Sequence, residues 1–222
     1  MQLFLFCEGA EMQRTVVAFG DSITRGYALR PGEGWVELLS ASLKSNPGES
    51  ILVFNAGGNG NTSAEGLKRI EQDVLAHMPG KVLVEFGGND AVHDDRAVCV
   101  DAFENNLRTI YHKVKAKGGE VIFVTFPPVV NEWHQTRGDK YYGKWGGLDG
   151  CVEEYRIVTR KLAKKLNCRL FDLDKLLREK LSAGKKEDYI KKDGVHLTPR
   201  ANKLIADRVL KLFDVWLKST GY

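Results

Sequence analysis

Five short apolar runs, Thr15–Phe19, Ile51–Asn55, Lys81–Phe86, Glu120–Phe126 and Cys168–Asp172, set what this chain can become. Each is rich in Val, Ile, Leu and Phe and lacks the polar alternation of a half-exposed strand. Each therefore reads as a strand covered on both faces, as in a parallel sheet. Amphipathic segments with recognisable helix ends lie between them. Thr62-Ser63-Ala64-Glu65 has the form of a capping box ahead of Leu67, Ile70, Val74 and Leu75. Asp101-Ala102-Phe103-Glu104 opens a second helix, with Phe103, Leu107, Ile110 and Val114 inward and Gly118 as its stop. Thr198-Pro199 pairs a cap with proline at the first helical position, before Leu204, Ile205, Val209, Leu212, Phe213 and Trp216. Such alternation predicts an α/β sandwich with helices on both faces of a parallel sheet of about five strands.

A chain of 222 residues suits one domain, and residues 12–222 are read as that domain. Met12 stands just before the first strand, so residues 1–11 read as an N-terminal extension. The apolar start Met1–Cys7 lacks a basic flank and is closed early by Glu8 and Glu11, which argues against a cleaved signal. No run approaches the ~20 apolar residues of a membrane span. The net charge of +4 is spread along the chain, and Arg160-Lys161 with Lys164-Lys165 has the spacing of a solvated helix face; no nucleic-acid partner is expected. Cys7, Cys99, Cys151 and Cys168 form no CxxC pair and no HExxH occurs, so neither zinc nor another cofactor is expected. Reduced thiols place the expected compartment in the cytoplasm.

In an open parallel sheet, ligands bind beyond the carboxyl ends of the strands. Four polar phrases fall at such places: Gly20-Asp21-Ser22 after the first strand, Asn55-Ala56-Gly57-Gly58-Asn59-Gly60-Asn61-Thr62 after the second, Gly87-Gly88-Asn89-Asp90 after the third, and Asp193-Gly194-Val195-His196 before the last helix. Each alone has a plain reading as a turn or a helix cap. Together they supply a nucleophile (Ser22), a base to take its proton (His196) and a carboxylate to orient the base (Asp193). An acyl oxygen that becomes an anion needs preorganised donors, for which Gly60 at a helix start and the Asn89 amide are suited. The Gly-rich loop has neither GxGxxG spacing nor a P-loop lysine. From Pro127 to about Gly150 periodicity fails while aromatic residues and glycines gather. Residues 127–150 are therefore read as a lid or binding loop, with Asp21, Trp133, Tyr141, Tyr142 and Trp145 as candidate substrate contacts. His77, His93, His112 and His134 read as surface or core residues.

With its Ser, Gly, Asn and His blocks in order from Thr15 to the last helix, the chain resembles the SGNH (GDSL-type) hydrolase superfamily. The resemblance implies a flavodoxin-like three-layer α/β/α sandwich with strand order 2-1-3-4-5. It implies Ser22 as nucleophile, with Asp193 and His196 completing the triad. The Ser22 N–H, Gly60 and Asn89 would form the oxyanion hole, with Gly57 and Gly58 as alternatives to Gly60. Ile23 replaces the leucine of the name motif. The implied substrates are carboxyl esters: acetylated sugars, short aryl or alkyl esters, lysophospholipids and acyl thioesters. A short acyl group is expected, with a lysophospholipase or thioesterase as the alternative. Acyl transfer to an alcohol uses the same chemistry. A non-catalytic flavodoxin-like ligand-binding protein is the reading from another class. The nucleophile is not in a GxSxG elbow, which argues against the α/β-hydrolase fold.

Overall fold

The structure is a computed structural model. It describes residues 14–44, 51–77 and 79–218, with side chains described to residue 213. The extension assigned to residues 1–11 lies outside the described residues, as do Cys7 and the side chain of Trp216.

The apolar runs become β1 (Arg14–Gly20), β2 (Ile51–Gly57), β3 (Lys81–Glu85), β4 (Glu120–Val124) and β5 (Arg169–Phe171). They form one parallel sheet in the order β2-β1-β3-β4-β5. The order reverses direction between β1 and β3, which opens a crevice there. The register brings the ends level: Gly20 pairs with Gly57 on one side and Glu85 on the other, and Glu85 pairs with Val124. Three of the four polar phrases therefore leave the sheet at or close to one edge. β1, β3 and β4 are buried along nearly their whole length, whereas β2 and β5 are partly exposed. The expectation of strands covered on both faces fails at the outer two, which have a neighbouring strand on one side only.

The short helix α1 (Ser22–Arg25) follows β1, and α2 (Trp35–Lys44) leads toward β2. α3 (Ser63–Asp73) follows β2, α4 (Val100–Ala116) precedes β4, and α5 (Leu148–Lys165) precedes β5. α6 (Leu173–Ala183) and α7 (Pro199–Lys218) complete the chain. α2 packs on α7, while α3 packs on α4 and α4 on α5, giving separate helical layers. Thr62 and Glu65 form the reciprocal cap expected at α3. α4 starts one residue before Asp101 and gives way to Gly118 in the left-handed region, at φ 79°.

Residues 127–150, read as a lid or binding loop, are anchored to the rest of the chain. Pro127–Val130 is buried, and the Val130 N–H donates to the Gly194 carbonyl at 2.8 Å. Lys140–Trp145 forms a 3-10 turn, and from Leu148 the segment is already α5. Tyr142 is buried with its hydroxyl accepting the His93 N–H at 2.7 Å, and Tyr141 lies flat on the His93 ring at 3.6 Å. The aromatic residues that broke the periodicity mostly anchor this segment to the loop after β3.

Candidate active site

Between β1 and α1 the chain turns at Asp21, whose Oδ1 caps the helix by accepting the Ile23 N–H at 2.8 Å. Ser22 is the first helical residue, so its own N–H has no carbonyl one turn back to bond. Gly57 lets β2 pass close to this turn, since a Cβ there would lie 2.3 Å from the Arg25 nitrogen.

On the other side of the crevice, residues 190–197 form a pinched hairpin closed by the Ile190–Leu197 bridge. Its tip is shaped by Asp193, whose Oδ1 accepts the Val195 and His196 N–H groups, both at 2.9 Å. Asp193 Oδ2 lies 2.8 Å from His196 Nδ1, and His196 Nε2 lies 3.0 Å from Ser22 Oγ. Partial burial works to raise the Asp193 carboxyl. The two backbone N–H groups and the imidazole outweigh it and hold the carboxyl below its usual range. Two side chains 174 positions apart thus meet, with the carboxylate on the far ring nitrogen, an arrangement able to pass a proton from the hydroxyl to the imidazole.

Beneath Ser22 lie three buried carboxyls that the sequence did not suggest as a group. Thr24 Oγ1 donates to Glu85 Oε2 at 3.0 Å, and Glu85 Oε1 has no hydrogen-bond partner among the described residues. Burial, and then the Glu85 charge, push Asp21 well above the usual carboxylate range; burial pushes Glu85 up as well. Asp90 is raised to about 6, again by burial, which outweighs the bonds it accepts from Ser63. Those bonds, from the Ser63 N–H at 3.0 and 3.1 Å, tie the loop after β3 to the start of α3.

The donor candidates sit where these loops meet. Asn89 Nδ2 lies 3.1 Å from Asp21 Oδ2 and 3.1 Å from the Asn61 carbonyl, which turns the nitrogen end of the amide toward the Ser22 corner. Among the three glycines, the Gly57 N–H is taken by Asn55 Oδ1 and the Gly58 N–H by the Gly20 carbonyl. Gly60 adopts φ 71°, which glycine reaches without strain. Its N–H has no partner among the described residues, while its carbonyl accepts from Arg96 at 2.9 Å. Arg69 braces the same loops, donating to the Gly20 and Ala56 carbonyls, both at 2.8 Å, and to Asn61 Oδ1 at 2.7 Å.

Ser22, Asn89, Asp193 and His196 all line one cleft of about 570 Å³. Its lining includes the apolar Val92, Phe126, Val129, Leu148 and Val152 together with Tyr27, Arg96, Trp133, His134 and Gln135. The sequence model of the GDSL-like Lipase/Acylhydrolase family matches residues 18–204, a span that takes in every residue of this cleft. The chain belongs to that family. Family members are hydrolases of ester bonds, and this chain is one of them.

Individual relatives agree with the family. The chain is 30% identical over 197 residues to thioesterase 1/protease 1/lysophospholipase L1 of Escherichia coli strain K12, covering 89% of this chain and 82% of that protein. The crystal structure of the lipase/acylhydrolase from Enterococcus faecalis superposes with a TM-score of 0.73 at 28% identity, over 90% of this chain and 95% of that one. That of an acetyl xylan esterase superposes with a TM-score of 0.71 at 27% identity, over 89% and 98%. The α/β fold with its five-stranded parallel sheet is the fold of this GDSL family. No helix among the described residues is long and apolar enough to cross a membrane.

Within this GDSL-family cleft, the substrate contacts expected from sequence divide. Trp133 lines the cleft. Tyr141, Tyr142 and Trp145 do not, because they pack on His93 and on one another. Asp21 does not meet a substrate either: it is wholly buried and spent on the α1 cap and the Asn89 amide. Sequence reasoning set His134 aside, yet it lines the cleft with its Nδ1 held by Thr136, and burial lowers its imidazole below the ordinary histidine range.

Proposed function

We propose that this protein is a serine esterase that cleaves short-acyl carboxyl esters through an acyl-serine intermediate. The observation that carries the reading is the unbroken line Asp193 Oδ2, His196, Ser22 Oγ, with contacts of 2.8 and 3.0 Å. Ser22 Oγ attacks the ester carbonyl as its proton passes to His196 Nε2. The carbonyl oxygen gathers negative charge, which the Ser22 and Gly60 N–H groups and the Asn89 amide receive; loss of one such donor typically costs ~10²–10³ in rate. Collapse of the tetrahedral species breaks the ester C–O bond, and His196 returns the proton to the departing alcohol. Water then loses a proton to His196 and attacks the acyl-serine carbonyl; the acyl C–O bond to Ser22 breaks, His196 returns the proton to Ser22 Oγ, and the acid leaves.

Among the lining residues, Phe126, Val129, Leu148 and Val152 suit the acyl group, and Trp133, His134, Gln135 and Arg96 suit the alcohol. The likeness to an acetyl xylan esterase supports a short acyl group. The second reading, a thioesterase or lysophospholipase, is supported by the Escherichia coli relative of that name. Initial rates on p-nitrophenyl esters from acetate to palmitate test both. An optimum at acetate or butyrate, abolished in Ser22→Ala, is the expected result. A long-chain optimum replaces the first reading with the second, and turnover that survives Ser22→Ala removes the acyl-serine mechanism.

A further inference from the structure

Two adjacent lysines at the neck of the histidine hairpin do different things. Lys192 lies over the Trp133 ring at 4.0 Å. Lys191 turns the other way and donates through Nζ to two backbone carbonyls, Tyr27 at 3.0 Å and Ala28 at 2.8 Å, in the loop that follows the nucleophile helix. It makes no ion pair among the described residues, so its ammonium is spent on these carbonyls. Ala28 holds φ 54°, a left-handed conformation that a residue with a Cβ rarely adopts, and its carbonyl is one of the two that Lys191 binds.

We infer that Lys191 is a positioning residue for the His196 base, pinning the histidine hairpin to the nucleophile loop so that Nε2 stays at Ser22 Oγ. The inference rests on the acyl-serine reading above. Apart from the Ser22–His196 bond itself, the two Lys191 bonds are the hydrogen bonds that join residues 22–34 to residues 189–198 among the described residues. Their backbone ends lie directly on the reacting residues. The Tyr27 N–H donates to the Ser22 carbonyl at 3.0 Å, and the Lys191 N–H donates to the His196 carbonyl at 2.7 Å. A continuous path therefore runs from Ser22 through Tyr27 and Lys191 to His196. The Tyr27 ring completes it by covering the imidazole, with ring centroids 4.3 Å apart. Without the pin the hairpin keeps its internal bonds, its Asp193–His196 contact and the Val130–Gly194 bond, but among the described residues no hydrogen bond other than the reacting one holds it to the nucleophile loop. A displacement of about 1 Å between reacting groups costs on the order of 10²-fold in rate.

The test compares Lys191→Met, Lys191→Arg and Lys192→Met with wild type. The readouts are kcat and KM on p-nitrophenyl acetate, and the rate at which a small fluorophosphonate labels Ser22. In that labelling Ser22 Oγ displaces fluoride from phosphorus and His196 takes the proton, so it reports the nucleophile and base without an ester substrate. The expected result for Lys191→Met is a fall of about 10- to 100-fold in kcat and in labelling rate, with KM within about twofold. Lys191→Arg, which keeps a charged donor, recovers most of the loss, and Lys192→Met labels like wild type. Rates for Lys191→Met within twofold of wild type overturn the inference, as does an equal loss in Lys192→Met or an effect confined to KM. Should Lys191→Met not fold, failure of Lys191→Gln to slow labelling overturns it equally. A wild type that the fluorophosphonate does not label removes the acyl-serine reading itself, an outcome distinct from all of these.

Discussion

The two sides of the cleft are built by opposite means. Ser22 follows a strand buried along nearly its whole length, over three carboxyls sealed in the interior, with Gly20 and Gly57 admitting close backbone contact. His196 sits on a surface hairpin whose Asp193 side chain is 44% exposed, held by a bridge, a few backbone bonds and one lysine. The core positions Ser22 as a by-product of folding, whereas His196 is positioned by polar contacts that contribute little to overall stability. Changes on the histidine side are expected to cost activity at nearly constant stability; changes on the serine side are expected to cost stability first.

Asp193→Asn probes that difference with the largest effect. It leaves the surface packing intact but lets the imidazole take the wrong tautomer, so kcat on a p-nitrophenyl ester should fall by at least about 10²-fold. The melting temperature should move by no more than about 2 °C; a large drop would erase the contrast between the two sides. Gly57→Ala comes next. The new Cβ meets the α1 backbone at 2.3 Å. Overpacking of this kind costs about 1–3 kcal/mol, and each kcal/mol is about 2–4 °C in a chain of this size, readable by thermal unfolding. An unchanged melting temperature would mean that the serine corner yields as easily as the hairpin.

The smallest effect sharpens the comparison through pH. Burial raises the Glu85 carboxyl to about 7 and Asp90 to about 6, and pushes the Asp21 carboxyl beside Glu85 well above its usual range, so the native state binds these protons more tightly than the unfolded chain does. Their stabilising contribution is complete below the ordinary carboxylate range of about 4 and is lost as pH rises through the raised values. The wild-type melting temperature should therefore carry a declining component from about pH 4 upward through about pH 7. Glu85→Gln removes one of these groups. The difference between variant and wild type should grow in favour of the variant as pH increases, as thermal unfolding across that range would report. A constant difference would mean that Glu85 carries its charge at no cost.

Much of this was legible in the chain because local chemistry writes it there. The apolar runs, the Thr62–Glu65 capping box, the Thr198-Pro199 helix start and the four polar phrases are short-range patterns, and Ser22, Asn89, Asp193 and His196 do line one cleft. The misplacements have a common cause. Tyr141, Tyr142 and Trp145 read as candidate substrate contacts in a lid or binding loop because aromatic residues in an aperiodic segment suit either ligand contact or anchoring. Only the position of His93 distinguishes the two. Asp21 has the same ambiguity, since a carboxylate beside a nucleophile reads as a contact until Glu85 is seen against it. Sequence by itself determined the strand–helix alternation, the chemistry carried at the strand ends and the identity of the meeting residues. Tertiary structure alone decided which glycine keeps a free N–H, that three carboxyls share one interior, and that Lys191 and Arg69 span loops far apart in the chain. Those outcomes depend on which distant backbone groups come within about 3 Å of one another, and hydrogen bonding at that range carries no periodicity for a sequence to display.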